Sequence, residues 1–126
     1  MVDVRGRWAL ITGASRGIGY LSALFLAEHG CNLILHSRKL EHTEKVVKEV
    51  KALGVEAIPV CAELADADDV ARMLKEIDAL GKRVDLVLNN AGLQIAYRVN
   101  YYDTPVSDYI ESYKINTVAP AMICYH

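Results

Sequence analysis

The sequence predicts an α/β fold in which helices cover both faces of a parallel sheet. Short apolar runs alternate with longer amphipathic segments, and the first two amphipathic segments are each followed by a glycine. The apolar runs are continuous rather than alternating, which is typical of strands buried on both faces. Alternation of this length favours crossover connections between parallel strands.

Four strands and three helices occupy residues 8–88 in this prediction. The strands are expected at residues 8–12, 32–36, 55–61 and 84–88. The helices are expected at residues 18–29, 41–53 and 66–80, with Ile18 and Leu21 contributing apolar faces to the first and acidic residues in the first turn of the third. Residues 97–107 should form an irregular loop, and a last helix should begin near Val106 and be disturbed at Pro120. Residues 1–126 are therefore expected to form one domain.

Composition restricts the classes of partner. The chain is 52% hydrophobic and 24% charged, with a net charge of −2, so nothing attracts it overall to nucleic acid or anionic membranes. It has neither an apolar targeting region nor a run of about 18 apolar residues, so we expect a cytoplasmic protein without membrane contact. Cys31, Cys61 and Cys124 are far apart. They are expected to be small buried thiols, without a metal site or a disulfide.

The first strand leads into a glycine-rich turn with the spacing G-x-x-x-G-x-G, at Gly13, Gly17 and Gly19. We expect Gly13 to allow the bend, Gly17 to allow close approach of a phosphate, and Gly19 to pack the helix on the strand. Free backbone N–H groups and the helix dipole would favour an anion there. A turn without a ligand is the alternative, but a strand before and a helix after favour a Rossmann-type dinucleotide site.

The end of the second strand predicts which dinucleotide binds. NAD sites usually have a carboxylate about 20 residues beyond the glycine turn, to hold the ribose 2′-hydroxyl. This chain has His36, Ser37, Arg38 and Lys39 there, without an acid. Arg38 could pair bidentately with a 2′-phosphate, and Arg16 could supply a second cation. The pattern favours NADP(H) over NAD(H), and solvated surface charges are the alternative interpretation.

Taken together, these residues resemble the short-chain dehydrogenase/reductase family. The resemblance rests on the glycine turn, the basic end of strand two, Asn89-Asn90-Ala91-Gly92 after strand four, and Asn116 in the last helix. Within this family, the sequence most resembles the 3-oxoacyl-[acyl carrier protein] reductases. The resemblance implies that Asn89 holds backbone, and it implies the following cofactor-binding residues: Gly13, Ser15, Arg16, Gly17, Ile18, Gly19, Ser37, Arg38, Glu63, Leu64, Asn90, Ala91 and Gly92.

Two positions bear on how far the resemblance extends. Glu63 stands where the family usually has an aspartate near the adenine, so only backbone contacts around Glu63 and Leu64 are expected to persist. In the family, a tyrosine with a lysine four residues later donates the proton, a serine polarises the carbonyl, and an asparagine supports a proton-relay water. Asn116 is the matching catalytic residue here. No tyrosine in the 126 residues has a lysine four positions later.

The resemblance implies a sheet with strand order 3-2-1-4, truncated after strand four, whose outer edge would be apolar and exposed. Either the natural product is longer or a partner covers that edge. The first hypothesis is that residues 1–126 are the cofactor-binding half-domain of an NADP(H)-dependent oxidoreductase that interconverts a ketone and a secondary alcohol. This fragment is expected to lack turnover, and the complete protein to form a homo-oligomer. A non-catalytic nucleotide-binding or assembly module is the alternative. A flavodoxin-like domain is a third interpretation, which the glycine spacing does not support.

Overall fold

The computed structural model describes residues 2–96, 98 and 100–126, and its core is a four-stranded parallel sheet. The strand order is β3-β2-β1-β4, so the predicted Rossmann-type fold and strand order are confirmed. Within the sheet, Trp8 pairs with Asn32 on β2, and the register towards β4 shifts between Trp8 and Ala9. The strands are β1 (Trp8–Ile11), β2 (Asn32–Ser37), β3 (Ala57–Cys61) and β4 (Val84–Leu88).

The three predicted helices between the strands are present, with ends shifted by one to three residues. The second of them begins as a separate 3₁₀ turn, Leu40–Thr43. The last helix begins at Val106 as predicted and is interrupted by a π-helical segment, Lys114–Val118, directly before the turn that contains Pro120. The α-helices are α1 (Gly17–Glu28), α2 (Glu44–Ala52), α3 (Ala67–Ala79), α4 (Val106–Tyr113) and α5 (Ala119–Tyr125).

The predicted loop at residues 97–107 is partly observed. Tyr97 and Val99 lie outside the described residues, and Tyr101–Asp103 form a short 3₁₀ turn. Pro105 then precedes α4 with an extended backbone, a position where a proline costs the helix no hydrogen bond.

Two apolar cores lie on opposite faces of the sheet. One face packs Leu10 and Ile34 against α3 and α5, and the other packs Ile11 and Leu35 against α1 and α2. Alternate residues of a strand point to opposite faces, so β1 and β2 contribute to both cores. Continuous apolar sequences at these two strands are therefore required by the fold.

Helix α1 differs from its prediction in which face is buried. Ile18 and Leu21 were expected to contribute apolar faces, but they are 74% and 63% exposed. The buried side consists of the small residues Gly19, Ala23 and Ala27, spaced four apart. Small side chains on one helical face allow the helix axis to approach the sheet closely, which leaves the larger apolar residues facing outward.

The outer strands are less buried than their apolar sequences predicted. In β3, Ala57 and Val60 are buried, whereas Pro59 is exposed and is tolerated because β3 is an edge strand of the sheet. In β4, Leu86 is 42% exposed and Val87 is also exposed. Among the described residues β4 has no neighbour on its outer side, which agrees with the expected apolar edge.

The expectation of buried thiols is correct only for Cys31. Burial raises the pKa of the Cys31 thiol. Cys61 is half-buried at the end of β3, and Cys124 is exposed in the last turn of α5. No disulfide, no metal-binding group of three His, Cys, Asp or Glu side chains, and no helix suited to crossing a membrane is found within the described residues.

Candidate dinucleotide site

The predicted cofactor residues lie on loops at one edge of the sheet. Because the four strands are parallel, their carboxyl ends meet at the same edge, where ligands of open α/β sheets bind. The glycine turn follows β1, Arg38 follows β2, Glu63 follows β3, and Asn90 follows β4. Positions that are 77 residues apart in sequence are therefore in contact, as Gly13 and Asn90 are.

The glycine turn needs glycine for a different reason at each position. Gly13 has a φ of 64°, and a Cβ there would lie 3.0 Å from the Ala91 Cα. Gly17 has a φ of 60°, but a Cβ there would meet nothing within 4 Å. Its left-handed backbone favours glycine, and the space beside it is open for a ligand to approach.

Gly19 is required by packing. A Cβ on this residue would lie 2.3 Å from the Gly13 carbonyl oxygen and 2.6 Å from the Asn90 side-chain nitrogen. Both atoms belong to the hydrogen-bonded framework of the site, so neither can move away without breaking it. The first turn of α1 is thus held directly against the turn that precedes it, whereas the sequence analysis expected Gly19 to pack the helix on the strand.

The backbone N–H groups of the turn divide into two sets. The N–H of Gly13 donates to His36 Nδ1 at 3.1 Å, and that of Ala14 donates to the His36 carbonyl at 2.9 Å. The N–H groups of Gly17, Ile18 and Gly19 have no protein acceptor within the described residues. The expectation of free N–H groups therefore applies to the start of α1, where the helix dipole adds partial positive charge.

The basic residues beside this helix start are unpaired. Arg16 and Arg38 are exposed, and neither forms an ion pair with another described residue. Ser37 is buried, and its hydroxyl donates to the Lys39 carbonyl. Ser37 therefore shapes the loop that carries Arg38. Lys39, next to Arg38, is also exposed and forms no ion pair with another described residue.

The turn after β3 is stabilised by its own polar groups. The Glu63 N–H donates to Asp69 Oδ2 at 2.6 Å, and Glu63 Oε1 accepts from the Ala65 N–H at 3.2 Å. Hydrogen bonds from Arg72 and then from the Glu63 N–H lower the pKa of Asp69, so this acceptor stays charged. The backbone N–H of Glu63 is consequently used within the protein, which leaves the buried Leu64 as the other predicted residue of this turn.

The segment after β4 anchors the glycine turn. Asn90 Nδ2 donates to the Gly13 carbonyl at 3.1 Å, and the Ala91 N–H donates to Thr12 Oγ1 at 3.0 Å. The sequence assigned the backbone-holding role to Asn89, whereas the structure gives it to Asn90. Asn89 instead donates to Cys124 Sγ at 3.2 Å, because consecutive side chains leaving a strand point in opposite directions.

Asn116 uses its whole side chain to hold the segment after β4. Its Oδ1 accepts from the Leu93 N–H at 2.7 Å, and its Nδ2 donates to the Leu93 carbonyl at 2.7 Å and to Ser112 Oγ at 3.1 Å. Pro120, four residues later, has no N–H, so the Asn116 carbonyl lacks the donor that an α-helix would supply. The side chain of Asn116 ties the segment after β4 to the last helix.

His36 also lies at this edge, and the sequence analysis assigned it no role. Its ring joins the glycine turn to the end of β3, and it is 2% exposed. Burial is the largest cause that lowers its pKa. A polar side chain at the end of the apolar run Asn32–Ser37 was the available signal, since a buried polar group needs partners.

Comparison with known proteins gives curated relatives that are longer than this chain. The 3-oxoacyl-[acyl-carrier-protein] reductase FabG of Staphylococcus aureus is 46% identical over 86 residues, which are 68% of this chain and 35% of that protein. Versicolorin reductase 1 of Aspergillus parasiticus is 40% identical over 91 residues, 70% of this chain and 34% of that protein. The chain thus spans about a third of the length of these relatives.

Solved structures match nearly the whole chain. A metagenomic short-chain oxidoreductase in complex with NADP has a TM-score of 0.90 at 28% identity, covering 98% of this chain and 56% of that one. An NAD⁺-bound xylitol dehydrogenase has a TM-score of 0.88 at 28% identity, covering 98% of this chain and 47% of that one. A family model described as short chain dehydrogenase matches residues 7–126. The chain therefore belongs to the short-chain dehydrogenase family.

Proposed function

We propose that this chain is the cofactor-binding part of an NADP(H)-dependent oxidoreductase that interconverts a ketone and a secondary alcohol. The observation that carries the proposal is that the unpaired Arg16 and Arg38 follow the carboxyl ends of neighbouring strands, at the edge where the open N–H groups at the start of α1 also lie. Similar structures include one with NADP and one with NAD⁺, so the family fold is compatible with both cofactors. The charge at the end of β2 is what favours the 2′-phosphate.

Each part of the dinucleotide has a matching group on this edge. The N–H groups of Gly17–Gly19 and the dipole of α1 would hold the pyrophosphate. Arg38 and Arg16 would hold the 2′-phosphate by charge-assisted hydrogen bonds. Leu64 and the small pair Ala91-Gly92 would border the adenosine, and Ser15 and Ser37 would complete the loops around it. When bound, the cofactor supplies or accepts a hydride.

The contribution of Asn116 in this proposal is positional. Its side chain fixes Leu93, and so keeps the segment Asn90–Gly92 beside the glycine turn. The side-chain amide is not acidic enough to donate the proton that carbonyl reduction needs.

This chain by itself should bind cofactor without turnover. Proton donation in the family would require a tyrosine with a lysine four residues later on one helical face, and the 126 residues contain no such pair. We expect no oxidation of NADPH, followed by absorbance, when the purified chain is mixed with a panel of ketones. Turnover would contradict this part of the proposal. Binding without turnover also fits the alternative, a non-catalytic nucleotide-binding module.

The cofactor assignment is tested with Arg38→Asp. Loss of a charge-assisted hydrogen bond costs about 1.5–3 kcal/mol, so the Kd for NADPH should rise roughly 10- to 100-fold. The Kd for NADH should change far less, because NADH has no 2′-phosphate. Isothermal titration calorimetry with both cofactors measures the two effects.

Lys51→Asp is the matched control for this experiment. Lys51 is an exposed cation in the last turn of α2, away from the carboxyl edge of the sheet, and the substitution changes the net charge by the same amount. It should leave both Kd values nearly unchanged. Equal losses of NADPH and NADH binding in Arg38→Asp would remove the 2′-phosphate assignment and leave a dinucleotide site without that preference.

A further inference from the structure

The His36 side chain connects two turns that the sheet does not otherwise join. Its Nδ1 accepts from the Gly13 N–H at 3.1 Å, and its Nε2 lies 3.0 Å from the Ala62 carbonyl. The His36 backbone carbonyl also accepts from the Ala14 N–H at 2.9 Å. One residue thus holds two consecutive N–H groups of the glycine turn and the last residue before the β3 turn.

These partners fix the protonation state of the ring. A carbonyl can only accept, so Nε2 carries the proton that is donated to Ala62. A backbone N–H can only donate, so Nδ1 is unprotonated. The ring is neutral, and a second proton on Nδ1 would place two donors against each other at Gly13.

The bond to Gly13 also affects the direction of the remaining N–H groups of the turn. Because the Gly13 N–H is bound to the ring and the Gly13 carbonyl to Asn90, the peptide planes on both sides of Gly13 are fixed. The unpaired N–H groups of Gly17–Gly19 follow after three intervening residues, and Gly19 packs on that same Gly13 carbonyl. A rotation at Gly13 would therefore tilt the donors at the start of α1.

We propose that His36 is a positioning residue for the dinucleotide, whose neutral ring fixes the glycine turn relative to the β3 turn. The inference rests on the proposed cofactor site and adds a specific residue and a protonation requirement to it. Protonation of the ring releases Gly13 and weakens cofactor binding.

The surroundings of the ring set the pH range of this effect. Burial lowers the pKa of His36 below its ordinary value of 6.5, while the Ala62 carbonyl and the negative charges of Glu63 and Asp69 oppose that shift. Glu63 lies on the β3 turn and Asp69 on α3, and no charged group on β1 or the glycine turn acts on the ring among the described residues. The folded state therefore binds the proton less readily than the unfolded state does. The contribution of the neutral His36 ring to the free energy of unfolding is complete above pH 6.5, and it is lost as the pH falls through the lowered pKa.

Two variants separate the two arms of the connection. His36→Asn keeps an acceptor where Nδ1 lies and loses the donor to Ala62. His36→Gln keeps a donor near the position of Nε2 and loses the acceptor for Gly13. We expect the NADPH Kd at pH 7.5 to change less than about threefold in His36→Asn and to rise about tenfold or more in His36→Gln, because the latter leaves a buried N–H unsatisfied.

The pH dependence provides a readout that a merely structural role would not change. The 2′-phosphate of NADPH itself titrates near pH 6, so the informative quantity is the ratio of the wild-type Kd to the His36→Asn Kd. Asparagine does not titrate, so this ratio should rise as the pH falls below 6.5. In parallel, ¹⁵N NMR of the free chain should show the Nε2–H tautomer and a Gly13 amide resonance that shifts with protonation of the ring.

The outcomes distinguish this inference from the proposed function. Failure of the wild-type chain to bind either dinucleotide would overturn the proposed function and this inference with it. Normal wild-type binding, together with equal Kd values for His36→Asn and His36→Gln or a Kd ratio independent of pH, would overturn the inference alone. Selective loss in His36→Gln with a rising ratio would support it.

Discussion

Strands β2 and β4 flank β1 on either side, and both have largely apolar sequences, but their environments differ. Leu33, Ile34 and Leu35 of β2 are fully buried, whereas Leu86 of β4 is 42% exposed. Strand β2 has a strand on each side and helices over both faces. Strand β4 has one neighbouring strand among the described residues, and beside it lies the apolar outer face of α1. An apolar sequence thus indicates what a strand can bury, and its neighbours decide whether it is buried.

The same contrast exists between helices. Helix α3 buries Val70, Met73 and Ile77 on one side and is polar on the other. Asp66 caps its first turn by accepting from the N–H groups of Asp68 and Asp69. Helix α1 is apolar on its buried and on its outward side, where Ile18, Leu21 and Phe25 are exposed. These three residues lie beside Leu88 of β4, and we call the exposed apolar surface that the four residues form the α1–β4 face.

The largest expected effect compares the same substitution in the two strands. Leu35→Ala should lower the free energy of unfolding by about 2–5 kcal/mol, since the removed atoms leave a cavity in a closed core. Leu86→Ala should lower it by less than about 1 kcal/mol, because that side chain already contacts solvent. Urea unfolding followed by circular dichroism measures both. Similar losses in the two variants would mean that β4 is covered in solution.

The next largest effect on stability is expected where the first turn of α1 contacts the glycine turn and the segment after β4. Gly19→Ala should lower the free energy of unfolding by about 1–3 kcal/mol through overpacking against the Gly13 carbonyl and Asn90, and it should weaken dinucleotide binding. Ser22→Ala on the same helix, at a half-buried position outside this contact, is the control and should change little. Unfolding and calorimetric titration of both variants test this. A Gly19→Ala variant as stable as wild type would contradict the close approach of α1.

The smallest effect on stability is expected at the α1–β4 face. Phe25→Lys should change the free energy of unfolding by less than about 0.5 kcal/mol, because Phe25 is largely exposed. It should reduce concentration-dependent self-association, which exposed apolar edges promote. Sedimentation velocity over a range of concentrations measures this, with Glu28→Gln, an exposed position on the same helix, as the control for an equal change of +1 in net charge. Equal reduction by both variants would attribute the change to charge alone.

Much of the fold could be predicted from the sequence because the signals are local. Apolar runs, the glycines after α1 and α2, and the acidic start of α3 predicted the elements and their order. The face of α1 could not be predicted, since apolar residues surround the helix and only the contact with the sheet selects Gly19, Ala23 and Ala27. Strands β3 and β4 are more exposed than their apolar sequences predicted, because they are the two edge strands of the sheet in the described residues.

The candidate site shows the same division. The types of residue at Gly13, Gly17, Gly19 and Arg38 were sufficient to predict a dinucleotide edge, and their individual roles in binding remain predictions. Hydrogen bonding between distant segments could not be derived from spacing. It assigns Asn90 rather than Asn89 to the Gly13 carbonyl, and it occupies the Glu63 N–H with Asp69.

By itself, the sequence determined the class of fold, the strand order through its family resemblance, and the chemistry available at one edge of the sheet. The roles expected of glycines and cations follow from the residue type alone, because they depend on allowed backbone angles and on charge. The tertiary structure determined which polar groups of the site are already hydrogen-bonded within the protein. It placed His36 between the glycine turn and Ala62, because only folding brings an imidazole within hydrogen-bond distance of two turns and removes it from water.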